Sequence, residues 1–220
     1  MINKIDIPDY IEILKTALEK VPSIYFSIKR NLDGMLNNIK DEKVKKEIEK
    51  LSLKYQERTF CYELYHQLRL LQDEEDGPFN EKDILIHAEI RKDSLLTEVY
   101  KEWKMEELDK EYIPDFIFHK DMGYKKQRLI VEVKTNPKNS ESHYKYDLEK
   151  IHEFISRYKF EKGCLIALNQ SLDKITKSIS DIYESADDNF KTSLEKTYVI
   201  TKEVGEEGFQ CKLVQNYNVT

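Results

Sequence analysis

The 220 residues predict a mixed α/β fold, a central mixed sheet flanked by helices, with a helical extension at the N-terminal side. Three observations carry this. Apolar stripes at helical spacing occur before and after a central block: Tyr10, Leu14 and Leu18, then Phe60, Leu64, Leu68 and Leu71, and beyond it Tyr144, Leu148, Ile151, Ile155 and Tyr158. Inside that block, the runs 113–118 and 129–135 are short and rich in β-branched and aromatic residues, as strands are. Only 6 Gly and 5 Pro are present, too few for a turn-dense all-β architecture.

Taken in order, residues 1–56 form the helical extension, and residues 57–220 form the main domain. The Lys- and Glu-rich stretch from Asp41 to Lys54 has helical composition. A separate helix is expected from Glu57 to Gln72, ended by the acidic Gly-Pro turn at 73–78. Asp83 to Ile90 is a strand, and Leu95, Val99 and Trp103 mark a helix over about 94–110. Two strands follow, 113–118 and 129–135, joined by a polar loop containing Gly123. After the helix at 144–158 come a buried strand at 163–168, a helix through Leu172, Ile175, Ile179 and Ile182, and a closing hairpin of 198–201 with 209–213.

Composition bounds the function. Hydrophobic residues at 40%, with 14 Tyr and 9 Phe, are enough for a packed core. No apolar run approaches the ~20 residues that span a bilayer, and residues 1–9 lack the apolar core of a signal peptide, so a cytoplasmic location without a membrane is expected. Cys61, Cys164 and Cys211 show neither disulfide nor zinc spacing and read as reduced core residues. The net charge of −6 is unevenly spread: residues 57–118 carry 17 acidic and 8 basic side chains, whereas 119–150 carry 5 and 8. A polycation that coats nucleic acid indiscriminately is excluded.

The chemistry concentrates in the two central strands. Side chains alternate along a strand, so Val131 and Val133 take one face while Glu132 and Lys134 share the other with Ile130. If the strands pair as a hairpin, Asp115 lies across from Glu132. Two adjoining carboxylates repel unless a cation sits between them, and a hard divalent ion with oxygen ligands fits that place. A neighbouring lysine can orient or help deprotonate a water.

These residues, Pro114-Asp115 followed by Glu132-Val133-Lys134, resemble the signature of the PD-(D/E)xK nuclease superfamily, over roughly residues 57–170. The resemblance implies a restriction-endonuclease-like core of helix, three strands, helix and strand. It implies a metal-dependent nuclease acting on nucleic acid, with DNA placed ahead of RNA, and Mg²⁺ or Mn²⁺ as the cofactor. Asp115, Glu132 and the carbonyl of Val133 would bind the metal, and Lys134 would position the attacking water. A glutamate from the first helix often joins such sites, and Glu63 is the candidate, with Glu89 from the first strand behind it. Asp147 and Lys150, in the helix after the motif, match a position where relatives often carry polar site residues. The helix expected at 94–110 departs from the usual tight pair of first strands and leaves the first strand's register open.

Each residue also has a plainer reading. Glu132 and Lys134 can be a solvated pair, Glu63 can bond Gln67 at i+4, Glu89 can face solvent, and Asp147 and Lys150 can be a surface ion pair at i, i+3. Lys120, Lys125, Lys126 and Arg128 read as a solvated basic loop that would flank the site. Two competing functions follow. A nuclease-like domain can bind nucleic acid or a partner protein without cleaving, and the N-terminal helices can serve a homodimer. Glu63 with His66 and Glu149 with His152 match the Glu-x-x-His units of a di-iron helical bundle, but that requires 113–119, 129–135 and 163–168 to be helical.

Overall fold

A computed structural model describes residues 9–26, 36–75, 77–79, 81–89, 112–120, 126–202 and 208–217. The helix expected at 94–110, Gly123, Lys125 and Gly205 lie outside these. Among the described residues six strands form one mixed sheet in sequence order: β1 (Ile84–Ala88), β2 (Phe116–Lys120), β3 (Gln127–Lys134), β4 (Lys162–Leu168), β5 (Thr197–Lys202) and β6 (Gln210–Leu213). β1–β2, β2–β3 and β5–β6 pair antiparallel, and β3–β4 and β4–β5 pair parallel. The parallel pairs need crossovers. α3 (Glu141–Ser156) supplies the first, and α4 (Leu172–Ser185) with α5 (Asp188–Leu194) supplies the second. The runs a di-iron bundle would need as helices contain strands β2, β3 and β4, so that reading fails.

One sheet face is covered by α1 (Tyr10–Lys20) and α2 (Glu42–Asp73). Asp9 caps α1 by accepting from the Ile11 N–H, and Asp41 caps α2 by accepting from Lys43 and Val44. The boundary expected at 56–57 falls inside α2, because no Gly or Pro between residues 41 and 73 interrupts the helix. Nor is α1 an appendage: Ile11, Leu14, Ala17 and Leu18 are buried in the same core as Phe60, Leu64, Leu68 and the β3 residues Leu129, Val131 and Val133. No helix among the described residues is long and apolar enough to cross a membrane.

The other face is covered by α3, α4 and α5, whose Tyr144, Leu148, Ile151, Ile175, Ile179 and Leu194 pack on Ile117, Ile130, Leu165 and Val199. Gly163 in β4 permits this close seating, since a Cβ there would lie 2.3 Å from Ile151 Cγ2 and 2.9 Å from Thr197 Oγ1. With α3 held down, its residues 147 and 150 come to lie over β3. The short α5, capped by Asp187 accepting from Phe190, and the 3₁₀ turn at Val214–Tyr217 have only weak periodicity and were not expected from the sequence. Cys61 and Cys164 are buried and Cys211 is half-buried, all three free thiols.

Candidate functional site

The site forms where β2 begins and β3 ends. Phe116 lies opposite Val131 and Ile117 opposite Ile130, so one further step sets Asp115 across from Glu132. Asp115 sits in a bend before β2, and its Oδ2 accepts the Val133 N–H at 2.7 Å. The carboxylate thus replaces the ladder bond that β2 no longer supplies.

The face shared by Glu132 and Lys134 is not open to solvent. α3 lies across it, and Glu132 is 1% exposed. Glu132 Oε2 accepts from Lys150 Nζ at 2.6 Å, while Lys134 Nζ lies 3.1 Å from Asp147 Oδ2 and donates to the Val133 carbonyl at 3.2 Å. The surface ion pair expected between Asp147 and Lys150 is therefore replaced by two crossed pairs between α3 and β3, with Glu132 and Asp147 buried and Lys134 half-buried. The plain reading of Glu132 and Lys134 as a solvated pair fails for the same reason: burial leaves each charge seeking a partner on the facing element.

The glutamate that reaches the site from α2 is Glu57, whose Oε2 accepts the Thr135 N–H at 3.2 Å. Glu63 instead accepts from Gln67 Nε2 at 2.7 Å, its plainer reading. Six residues at 100° each turn Glu63 by about 120° away from the side that Glu57 occupies. Glu57 extends the buried stripe of Phe60, Leu64, Leu68 and Leu71 one turn toward the N-terminus, and a carboxylate in line with an apolar stripe is the signal that would have found it. Glu89 follows β1 with a left-handed φ of 50° and lies 3.6 Å from Arg58. Its main-chain N–H donates to the Asp115 carbonyl, so its backbone rather than its carboxylate serves the site.

Four carboxylates, Glu57, Asp115, Glu132 and Asp147, thus surround two ammonium groups. Burial raises the pKa of all four above the usual carboxylate range. Glu132 is pushed furthest, by burial first and then by the Asp115 charge, with Lys150 opposing. Lys134 is held above the ordinary lysine value: burial works against its charge, but Asp147, Glu57, Glu132 and Asp115 outweigh it. Lys150 behaves alike, with Glu132 as its main support. With all four acids ionised the negative charge would exceed the positive, and a bound cation would favour that ionised form.

Among the described residues no group of three or more His, Cys, Asp or Glu side chains is arranged to hold a metal ion. A Mg²⁺-type ion needs less, one or two carboxylates with waters and substrate oxygens. Asp115 and Glu132 meet that requirement with oxygen donors, and Glu132 Oε1 is buried with no partner. The donor set fits a hard divalent ion and does not fit a closed zinc site.

Of the basic residues expected to flank the site, Lys120, Lys126 and Arg128 do not, and Lys125 lies outside the described residues. Arg128 is bidentate to Glu81 at 2.9 and 2.6 Å and also bonds Glu161, and Lys126 bonds both Asp83 oxygens at 2.9 and 3.0 Å. Lys120 lies 3.2 Å from Asp83. These groups cluster at the opposite end of β3. A scan against protein-family models and searches of curated proteins and of solved structures each return no match.

Proposed function

We propose that this chain is a metal-dependent nuclease of the PD-(D/E)xK type, hydrolysing phosphodiester bonds in nucleic acid, DNA in preference to RNA. The observation that carries the reading is the meeting of Asp115 and Glu132 across the start of β2 and the end of β3, with Lys134 two residues on. The order α2, β1, β2, β3, α3, β4 supports it, being the restriction-endonuclease-like sequence of elements. Glu57 supports it further, as a helix carboxylate brought to the end of β3.

Asp115, Glu132 and the Val133 carbonyl would hold a Mg²⁺ or Mn²⁺ ion. When bound, such an ion supplies Lewis acidity for a phosphoryl oxygen and lowers the pKa of water. Asp115 is fixed by the Val133 N–H, so its carboxylate is set before any ligand arrives. Lys134 keeps its proton among four carboxylates and is therefore a donor, suited to orient a nucleophilic water rather than to take its proton. Asp147 fixes the Lys134 ammonium, and Glu57 anchors the chain as it leaves β3 at Thr135.

The test is a substrate panel of single- and double-stranded DNA and RNA with Mg²⁺, Mn²⁺ or Ca²⁺, comparing wild type with Glu132→Gln and Lys134→Met. Cleavage in Mg²⁺ and Mn²⁺ but poorly in Ca²⁺ is expected, because the larger ion holds its ligands more loosely. Lys134→Met should lower the rate by about 10²–10⁴-fold. A second reading, a module that binds nucleic acid or a protein without cutting, is favoured by the 2.6 Å hold of Lys150 on Glu132. Tight nucleic-acid binding with no cleavage under any metal would decide for it.

A further inference from the structure

Resting on the proposed metal site, we infer that Lys150 is a positioning residue that competes with the divalent ion for Glu132 and so sets how tightly the site holds metal. Glu132 is buried and faces a lysine directly, and its two oxygens differ. Oε2 takes the Lys150 ammonium at 2.6 Å, and Oε1 has no partner. The carboxylate is half satisfied, so an ion that reached Oε1 would meet the ammonium beside it.

The other lysine does not share this role. Lys134 is held by Asp147 and by the Val133 carbonyl, and no bond joins it to Glu132 among the described contacts. Lys150 is also placed to give way. Beyond Glu132 its contacts are the Ile113 carbonyl at 3.5 Å and the Tyr146 ring at 5.8 Å, and the Asp147 and Asp115 carboxylates also attract it, so an ammonium that leaves Glu132 keeps charge partners within the cluster. Like charges a few ångströms apart in a buried site cost far more than in water, so the ammonium and the ion exclude one another at Glu132. The two neutral substitutions Lys150→Met and Lys150→Gln remove this competitor, whereas Lys150→Arg strengthens it, since a guanidinium can take both carboxylate oxygens.

The experiment is a Mn²⁺ titration of the full chain without substrate, followed by loss of the free-ion paramagnetic resonance signal, with circular dichroism to verify folding. Lys150→Met and Lys150→Gln should bind Mn²⁺ about tenfold more tightly than wild type, or better. Lys150→Arg should bind it more weakly, and Lys134→Met should differ from wild type by less than the Lys150 variants. Equal or weaker binding in both neutral variants overturns the inference. If both fail to fold, tighter binding by Lys150→Arg overturns it instead. Metal-dependent cleavage by a wild type whose neutral variants bind no more tightly leaves the nuclease reading standing and removes the role of Lys150. Tighter binding without cleavage does the reverse. No Mn²⁺ binding by any variant removes both.

Discussion

The two ends of β3 carry the same kinds of side chain in opposite electrostatic condition. At the Arg128 end, Glu81 is nearly buried, and burial would raise its pKa. Bonds from Arg128, Tyr10 and Lys126 overcome that and hold it below the usual carboxylate range. Asp83 is likewise lowered by Lys126 and Lys120. At the Glu132 end, Glu57, Asp115, Glu132 and Asp147 are all raised, because two ammonium groups do not offset the burial of four carboxylates. Arg128 forks onto Glu81 and reaches Glu161, so one cation satisfies two acids from distant parts of the chain. A cluster of the first kind stabilises the fold. A cluster of the second kind stores unfavourable charge that a ligand can relieve, which is the usual condition of a functional site.

Substitutions should separate the two ends. The largest effect is on activity: Asp115→Asn and Glu132→Gln should lower metal-dependent cleavage by at least ~10²–10⁴-fold, with no fall in the melting temperature of Asp115→Asn, because a repelling charge is removed. A large loss of stability in Asp115→Asn would make the Glu132 end a structural cluster and erase the contrast. Arg128→Met should do the opposite. It leaves Glu81 buried against fewer donors, costing about 3 kcal/mol, or about 6–12 °C in a domain of this size, while cleavage by the folded fraction is unchanged. Calorimetry beside a single-turnover assay reads both quantities.

Acid should also act on the two ends with opposite sign. A carboxylate whose pKa is depressed on folding contributes stability above its unfolded value, near 4, and loses it as pH falls through the lower folded value. Glu81 and Asp83 therefore contribute at neutral pH and fail in strong acid. A carboxylate raised on folding binds its proton more readily when folded, so its unfavourable contribution is full above the folded pKa and fades as pH falls toward 4. Melting curves carried from pH 8 down to 4 should show the stability gain of Asp115→Asn shrinking with acid. A gain constant over that range would mean the Asp115 charge is not what it relieves.

The smallest pair of effects sharpens the boundary of the site on α2. Glu57→Gln should lower cleavage by about tenfold by loosening the end of β3, whereas Glu63→Gln should change it by less than about twofold and stability by about 0.2–0.5 kcal/mol, the worth of one exposed i,i+4 contact. An equal loss in both variants would return Glu63 to the site.

What the sequence determined by itself is whatever follows from local periodicity. The two-residue repeat of a strand put Glu132 and Lys134 on one face, and the spacing of two adjacent strands put Asp115 within reach of Glu132, as the register through Phe116 and Val131 bears out. The 3.6-residue repeat likewise marked α1, α3 and α4 and the buried part of α2. Tertiary structure decided the rest, because a charge taken out of water pairs with whatever the fold sets opposite it, not with its neighbour in the chain. Asp147 and Lys150, three residues apart, each found a partner on β3 instead of one another. Arg128 found Glu81, 47 residues away, and so left the basic loop it was grouped with. Glu57 rather than Glu63 came to the site because α2 docks by its apolar stripe, and that docking fixes which way every other side chain on the helix turns.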